Sequence, residues 1–249
     1  MSLLIPPPPQ VLGKDRVTRE EAAKHLIRII APKLPKTRRT AERTEGGLVI
    51  NQTKPVYLRS TPVSWGLPFD EIVFTRWVTH ILHSRMLMPW DDTITMASTY
   101  ITEARNTIHQ QFVRDCETDW LVMLDSDVLP PPDFVERLMK HNKPVATGWY
   151  KKKGEPYLPC VYDFAEEDGK GIAWWKERQE AGTGLEQVDG IGAGCILMRR
   201  DAATALGERP YSPNVVSEDF FLCRKLHELG IPITLDWSIA CAHTGVALV

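Results

Sequence analysis

The sequence predicts an α/β fold with a mainly parallel, Rossmann-like central sheet and helices on its faces. After residue 54, short apolar runs alternate with segments whose apolar residues recur near helical spacing. One of the runs, Trp120–Leu124, is apolar at every position, as expected for a strand buried on both faces. Because strands that alternate with helices usually pair in parallel through right-handed crossovers, these two observations indicate a sheet covered on both sides.

The other elements follow from local patterns. Strands are predicted at residues 55–58, 93–96, 120–124, 145–147, 195–198 and 233–235. Helices are predicted at residues 69–87, 102–114, 133–140, 201–206 and 217–229, and Gly230 supplies a cap that ends the last one. Residues 151–188 are predicted to be a mixed loop region that carries an aromatic pair, Trp174 and Trp175.

The length of 249 residues suits one α/β domain preceded by an arm. Residues 1–45 are the predicted arm, which has a proline-rich lead and one helix opened by a capping box at residues 18–21. Glu45-Gly46-Gly47 marks the predicted boundary. The domain then covers residues 46–249, with one half at 46–150 and the other at 151–249.

Charge is distributed unevenly, although the formal net charge is only −2. Residues 11–45 carry ten Lys and Arg against five Asp and Glu. Such a basic segment is a candidate contact for nucleic acid or another anionic surface. The alternative, which we favour, is a solvated helix with a flexible linker.

Cysteine usage and hydropathy bear on the compartment. The five cysteines are scattered without a CxxC pair, which favours a reducing compartment over a disulfide framework or a zinc site. The apolar stretch at 69–87 includes Asp70 and Arg76, so no membrane span is predicted. The N-terminus lacks the basic and apolar regions of a signal peptide. We therefore expect a cytoplasmic protein.

Asp125-Ser126-Asp127 directly follows the most apolar strand. The C-terminal ends of the strands in an open parallel sheet form the edge where α/β proteins bind ligands. Two neighbouring acids at a buried edge call for a cation, and Mg²⁺ or Mn²⁺ binds carboxylates and phosphates alike. The pattern predicts a metal site. The alternative is a turn or helix cap with two solvated acids, which the prolines at 130–132 also favour.

Three residues late in the chain extend this pattern. Glu218 and Asp219 open the predicted helix 217–229, where acids complement the helix dipole. They are therefore either capping residues or candidates for a general base. His243 follows a predicted strand and is either a packed histidine or a candidate third metal ligand.

The order of these motifs resembles the GT-A class of metal-dependent glycosyltransferases, and the small size resembles the stand-alone enzymes of bacteria and phages. The resemblance covers roughly residues 54–245. It rests on the DxD motif after its strand, the glycine-rich stretch 188–200, the Ser217-Glu218-Asp219 triplet and the late His243. A QxxRW motif and membrane spans are missing from the sequence, which disfavours a processive synthase.

The resemblance implies the transfer of a sugar from a nucleotide-diphosphate sugar to an acceptor hydroxyl, with Mn²⁺ or Mg²⁺ as cofactor. Residues 46–150 would be the nucleotide-binding half and 151–249 the acceptor half. The implied metal ligands are Asp125, Asp127 and His243. The implied donor contacts are Ser60, Thr61, Pro62, Arg105, Asp125, Ser126 and Asp127, and the implied acceptor-side residues are Gly192, Ala193 and Gly194.

Asp219, with Glu218 beside it, would be the general base of an inverting reaction. A retaining reaction needs no such base, and the sequence leaves both open. For Arg105 the alternative is a surface salt bridge. The run Lys151-Lys152-Lys153 is either a diphosphate contact or a solvated loop.

Two other functions stay open on the sequence. A nucleotidyltransferase of similar α/β build would usually carry a glycine-rich, basic signature near its first strand, but residues 59–66 hold one arginine and one glycine. A non-catalytic sugar- or nucleic-acid-binding module could use Trp174, Trp175 and the basic arm. It would not explain why the DxD motif, the acidic triplet and His243 occur in this order.

Overall fold

The computed structural model describes residues 38–44, 47–53, 59–69, 75–84, 86–98, 100–167, 173–212 and 217–244. The helix predicted in the arm and the strand predicted at 55–58 lie outside these residues. No helix in the described ranges is both long enough and apolar enough to cross a membrane.

The described part of the chain folds into fourteen strands and five helices, which mostly alternate between β3 and β7. The strands are β1 (Arg38–Thr44), β2 (Gly47–Thr53), β3 (Ser64–Phe69), β4 (Asp92–Ala97), β5 (Trp120–Leu124), β6 (Val128–Leu129), β7 (Val145–Trp149), β8 (Val161–Glu167), β9 (Ala173–Glu177), β10 (Leu185–Val188), β11 (Gly190–Ile191), β12 (Cys195–Arg199), β13 (Ile233–Ala240) and β14 (Ala242–His243). The helices are α1 (Thr75–Ser84), α2 (Ile101–Asp115), α3 (Phe134–Lys140), α4 (Arg200–Ala205) and α5 (Glu218–Glu228).

The central sheet has seven strands in the spatial order β10-β13-β7-β12-β5-β3-β4. Strands β4, β3 and β5 pair in parallel, and so do β7 and β13. Strand β12 lies antiparallel between β5 and β7, and β10 is antiparallel to β13 at the edge. The prediction of a GT-A-like α/β fold with a mainly parallel central sheet is confirmed.

The core lies on both faces of this sheet. Every residue of β5 is buried. Val122 and Leu124 belong to a cluster on one face with Phe134 of α3. Leu121 and Met123 belong to a cluster on the other face with Ile108 of α2. Because successive side chains of a strand point to opposite faces of the sheet, β5 supplies apolar side chains to both clusters only if every one of its residues is apolar.

Most elements predicted near the DxD motif are confirmed to within one or two residues. These are β4, α2, β5, α3, α4 and α5. Gly230 has φ +66°, the left-handed conformation expected of a glycine that ends a helix, and it follows Leu229, the C-cap residue of α5. Strand β13 extends to Ala240, five residues beyond its predicted end at 235.

The helix predicted from residue 69 to residue 87 is wrong at its start. Phe69 ends β3, and the described helix runs only from Thr75 to Ser84. Strand β3 was not predicted because it contains Gly66 and Pro68, and neither residue favours strands. Pro68 is tolerated because β5 pairs with β3 only as far as Gly66, so at Pro68 only β4 is hydrogen-bonded.

This shift also corrects the placement of Ser60, Thr61 and Pro62. They were expected at the C-terminal end of the first strand, but they precede β3 and are exposed at its opposite end. The C-terminal end of that strand is formed by Pro68 and Phe69 instead.

The mixed loop predicted for residues 151–188 is also wrong, because this region contains three strands. Strands β8 and β9 join β11 in a small antiparallel sheet, and β10 extends the edge of the central sheet. Some of these strands pair with each other and others with distant segments of the chain. The spacing of apolar residues within the region does not reveal these partners.

Strands β1 and β2 form a separate antiparallel hairpin in which Thr44 pairs with Gly47. The predicted boundary at residues 45 and 46 falls in its connection, outside the described residues. An arm that ends at residue 45 would separate two paired strands. The division of the chain into arm and domain stays a prediction.

Candidate active site

A cavity of about 700 Å³ opens at the C-terminal ends of the parallel strands. It brings together eight of the residues predicted from sequence, namely Arg105, Asp125, Ser126, Asp127, Gly192, Glu218, Asp219 and His243. The end of β3 contributes Pro68 and Phe69 to its wall, and the start of α2 contributes Ile101. Ser60, Thr61 and Pro62 are not among the residues that line it.

The DxD turn is held by the backbone. Asp125 N–H donates to the carbonyl of Gly194, and Val128 N–H donates to the carbonyl of Asp125, at 3.0 and 3.2 Å. Two donors of Thr244, its N–H and its hydroxyl, reach the carbonyl of Asp127 at 2.7 and 2.9 Å. These contacts fix the backbone of the turn. The two aspartate side chains are oriented by residues of other segments, Asp125 by Arg105 and Asp127 by Lys153.

Strand pairing carries His243 to Asp127. The two-residue strands β14 and β6 pair antiparallel, with His243 opposite Val128. His243 Nδ1 lies 2.7 Å from the carbonyl of Lys151, and since a carbonyl only accepts, Nδ1 is the donor. In the neutral ring Nε2 then keeps its lone pair, and it lies 3.6 Å from Asp127 Oδ2.

Asp127 carries a negative charge that a lysine already compensates. Lys153 Nζ lies 2.5 Å from Asp127 Oδ2. Burial by itself would raise the pKa of Asp127, but the adjacent His243 and Lys153 outweigh it and lower the pKa below its usual value. Lys153 thus supplies a positive charge at the position where a metal on Asp127 would bind.

The residues present fit a divalent metal only in part. An Asp127 carboxylate and the His243 Nε2, in a ring oriented by the bond from Nδ1 to a carbonyl, are ligand types suited to Mn²⁺. Both oxygens of Asp125 are engaged by Arg105 instead. Over the described ranges, no group of three or more His, Cys, Asp and Glu is arranged to hold a metal ion. A metal on Asp127 and His243 would therefore need further ligands from a bound substrate.

Arg105 is the centre of the acidic cluster. Its side chain is only 3% exposed, so the surface salt bridge considered for it is wrong. Nη2 binds both oxygens of Asp125, and Nη1 binds Glu218 at 2.8 Å and Asp219 at 2.5 Å. Burial opposes its charge, but the surrounding carboxylates hold the pKa of Arg105 well above its usual value.

Asp219 lies at the start of α5, with Ser217 as the N-cap residue. Burial raises the pKa of its carboxyl to about 6, against the opposing charge of Arg105 and with the help of the negative charges on Glu218 and Asp125. The backbone of Ala193 stabilises the ionised form. Asp219 is therefore mostly ionised at neutral pH, with a proton affinity much higher than that of an ordinary aspartate.

The glycine-rich stretch between β11 and β12 packs against Tyr150. A Cβ on Gly192 would lie 2.4 Å from the Tyr150 hydroxyl, and one on Gly194 would lie 2.8 Å from it and 2.9 Å from Asp125 Oδ2. The N–H of Gly194 donates to the same hydroxyl at 2.9 Å. Only glycine fits these positions, because the Tyr150 hydroxyl lies so close to the backbone that a Cβ atom has no room.

Several residues of the cavity were missed by the sequence analysis. Tyr150 directly follows β7, as Asp125 directly follows β5, so the rule that identified the DxD motif also applies to it. Tyr162 and Phe220 add aromatic rings to the wall. Tyr162 lies in the region predicted to be a loop, and no sequence signal assigned it to the site.

Comparisons with known proteins agree with this architecture. No protein-family model and no curated protein sequence matches the chain. Among solved structures, the A197 protein from STIV is similar, with 17% identity and a TM-score of 0.55 over 75% of this chain and 87% of that one. GalNAc-T7, solved with UDP, GalNAc and Mn²⁺, is similar with 12% identity and a TM-score of 0.50.

The match to GalNAc-T7 covers 74% of this chain but only 43% of that one. A third structure, CMP:2-keto-3-deoxy-manno-octonic acid synthetase complexed with CTP, shares 15% identity with a TM-score of 0.43 over 76% of this chain and 93% of that one. At identities this low, the similarity to the first two structures establishes the fold and leaves activity to be argued from the site.

Proposed function

We propose that this protein is a glycosyltransferase that moves a sugar from a nucleotide-diphosphate sugar to an acceptor hydroxyl with a divalent metal. One observation carries the proposal. The turn with Asp125 and Asp127, the start of α5 with Asp219, and His243 come from three separate parts of the chain and line one cavity at the ligand-binding edge of a GT-A-like sheet. A capping role alone would not bring these four side chains to the same space.

The donor would occupy the side of the cavity formed by β3 and α2. Pro68, Phe69 and Ile101 offer apolar surface there, which suits a nucleoside. This assignment replaces the one expected for Ser60, Thr61 and Pro62. The presence of UDP, GalNAc and Mn²⁺ in a structure of similar fold supports a donor of this class.

Asp127 and His243 would hold Mn²⁺ or Mg²⁺, together with oxygens of the donor diphosphate. When bound, the metal would stabilise the negative charge that develops on the leaving diphosphate. Lys153, within reach of Asp127, would add a second positive charge on the same side. Arg105 would keep Asp125 in place and would not contact the diphosphate directly.

Asp219 would take the proton of the acceptor hydroxyl, which is the step an inverting transfer requires. A general base works best when its pKa is close to the pH at which the enzyme operates. With a pKa of about 6, the Asp219 carboxyl binds a proton more tightly than a free aspartate and is still ionised at neutral pH. Gly192 would lie on the acceptor side, because it lines the same cavity as Asp219.

The test is nucleotide release from a panel of nucleotide sugars in the presence of Mn²⁺. We expect one donor to release nucleoside diphosphate, with Asp127→Ala inactive and the exposed Asp115→Ala unchanged. Release of inorganic diphosphate from a nucleoside triphosphate would instead support the nucleotidyltransferase alternative. No release from any donor would contradict the proposal. The anomeric configuration of the product, determined by NMR, would separate inverting from retaining transfer.

A further inference from the structure

The cavity continues into a row of aromatic rings, here called the aromatic ridge, formed by Tyr162, Phe220, Trp175 and Phe164. Tyr162 and Phe220 line the cavity and meet edge to face, with ring centres 4.7 Å apart. Phe220 stacks on Trp175 at 5.0 Å, with an angle of 10° between the rings. Trp175 contacts Phe164 at 5.6 Å. The ridge thus runs from the residue next to Asp219 to the protein surface.

The strands hold these rings in a fixed row. Phe164 of β8 and Trp175 of β9 are cross-strand partners, and Tyr162 is paired with Gly190 of β11. A Cβ on Gly190 would lie 2.9 Å from the ring of Trp175 and 3.2 Å from Cβ of Tyr162. Glycine at this position therefore lets the Trp175 ring lie against the backbone, with Phe220 on it.

The ridge is not closed off from solvent. Phe164 is 37% exposed, and Tyr162, Trp175 and Phe220 are partly exposed. Large aromatic rings are usually buried when they serve only to pack a core. A partly exposed row of four rings that leads into a cavity with carboxylates in its wall is a surface suited to a ligand.

From these contacts we propose that the aromatic ridge is a binding subsite for the sugar rings of a neutral saccharide acceptor. This inference rests on the proposed glycosyltransferase function and adds the chemical class of its acceptor. A pyranose ring carries C–H groups with partial positive charge on its faces, and these pack favourably on the electron-rich face of an aromatic ring. Its hydroxyls need hydrogen-bond acceptors at the rim.

The charges around the ridge select against a nucleic acid or another polyanion. Glu218 and Asp219 precede Phe220, and the Asp189 carboxylate accepts the N–H of Phe164 at 2.9 Å. The two lysines that line the cavity are both paired with acids, Lys152 with Glu177 and Lys153 with Asp127. A single-stranded nucleic acid or a similar polyanion needs unpaired basic residues along the groove that binds it. Carboxylates beside aromatic rings instead suit the hydroxyls of a neutral sugar.

The experiment probes the full-length protein with an array of immobilised neutral oligosaccharides, followed by titration calorimetry with the best soluble binder. The variants are Phe164→Ala and Tyr162→Leu. Tyr100→Ala is the matched control, because Tyr100 is 73% exposed and lies outside the ridge. Since Phe164 is exposed at the end of the ridge, its variant should fold even if that of Tyr162 does not, and melting curves check both.

We expect at least one neutral oligosaccharide to bind, with affinity lowered by roughly five- to tenfold in the ridge variants and unchanged in Tyr100→Ala. The proposal is overturned if no neutral oligosaccharide is retained, or if the ridge variants bind as well as the unaltered protein. Ridge-dependent binding of a single-stranded dT oligonucleotide in place of saccharides would also overturn it.

Nucleotide release without acceptor, measured on the same samples, separates this inference from the proposed function. Release of nucleotide without saccharide binding would reject the ridge subsite alone. Ridge-dependent saccharide binding without release from any nucleotide sugar would reject the proposed transfer and leave a saccharide-binding site in its place.

Discussion

Both carboxylate oxygens of Asp125 accept hydrogen bonds from a single nitrogen, Nη2 of Arg105, at 3.0 and 2.8 Å. The other terminal nitrogen of the same guanidinium reaches Glu218 and Asp219. One buried cation thereby connects the turn after β5 to the start of α5. The geometry of the candidate site depends on this connection, because the two segments have no other charged link in the described part of the chain.

Replacing Arg105 by Gln should destabilise the fold by about 3–5 kcal/mol, because three partly buried carboxylates lose their common partner. Arg105→Lys should recover part of this loss, since an ammonium keeps the charge but cannot reach all three acids at once. Urea unfolding measures both effects. Adding Asp125→Asn to Arg105→Gln should reduce the loss, and strictly additive losses would show that the pair is not coupled.

Asp219 should impose an acidic limb on the pH–rate profile. Because the pKa of its carboxyl is raised to about 6, turnover should rise as pH increases through about 6 and level off above it. Asp219→Asn should lower the rate by about 10²–10⁴-fold and remove this limb. Glu218→Gln is the matched control from the same helix turn. An unaltered profile in Asp219→Asn would exclude Asp219 as the base.

The same raised pKa has a consequence for stability. In the unfolded chain the Asp219 carboxyl has its usual pKa of 3.8, so the folded state binds its proton more tightly. The Asp219 contribution to the free energy of unfolding should therefore fall as pH rises from about 4 to about 6, by about 3 kcal/mol at most. Comparing urea unfolding of the unaltered protein and Asp219→Asn across this range isolates the contribution. A difference in the free energy of unfolding between the two proteins that does not change with pH would contradict this prediction.

Lys153→Met should strengthen Mn²⁺ binding to the nucleotide-free protein. Lys153 pairs with Asp127, so its ammonium competes with a metal for that carboxylate. A half-exposed ion pair contributes about 1 kcal/mol or less, so the gain should be up to about fivefold. Electron paramagnetic resonance of free Mn²⁺ measures it. Lys152→Met, which removes a partner of Glu177, should have no effect. Weaker Mn²⁺ binding in Lys153→Met would show that the lysine assists the metal.

His109 of α2 should make the protein sensitive to mild acid. The side chain is buried, its Nε2 lies 3.0 Å from the carbonyl of Gly207, and burial lowers its pKa to about 4. The unfolded chain takes up this proton near pH 6.5, so stability present above pH 6.5 should be lost as pH falls towards 4. The loss should reach about 3 kcal/mol. His109→Gln should flatten this part of the pH–stability curve, and an equal loss in the variant would rule out His109 as its source.

The sequence predicts those elements whose local residue pattern follows directly from the surfaces that they bury in the fold. Strand β5 is apolar throughout because both of its faces are buried, and α2 has apolar residues at helical spacing because one side packs on the sheet. The DxD motif could be placed at the ligand-binding edge from this alone. Strand β3 escaped prediction because Gly66 and Pro68 are poor strand residues, and only the register with β4 and β5 explains why they are tolerated.

The partners of the site residues were beyond sequence reasoning. Arg105 was expected to contact the nucleotide, but its hydrogen bonds to three acids depend on how close α2 comes to α5. The raised pKa of Asp219 follows from burial, which no helix-dipole argument supplies. Tyr162 and Phe220 meet only because a strand of the small sheet faces the first turn of α5.

The pairing of β14 with β6 determines when Asp127 and His243 can come together during synthesis. Asp127 leaves the ribosome more than a hundred residues before His243, and the contact between Thr244 and Asp127 spans 117 positions. While the rest of the chain is made, the nascent β5 and its acidic turn have no histidine opposite them. A ribosome-bound chain ending before residue 243 would therefore lack the imidazole, so the proposed cation site on Asp127 and His243 could form only after residue 243 has been made.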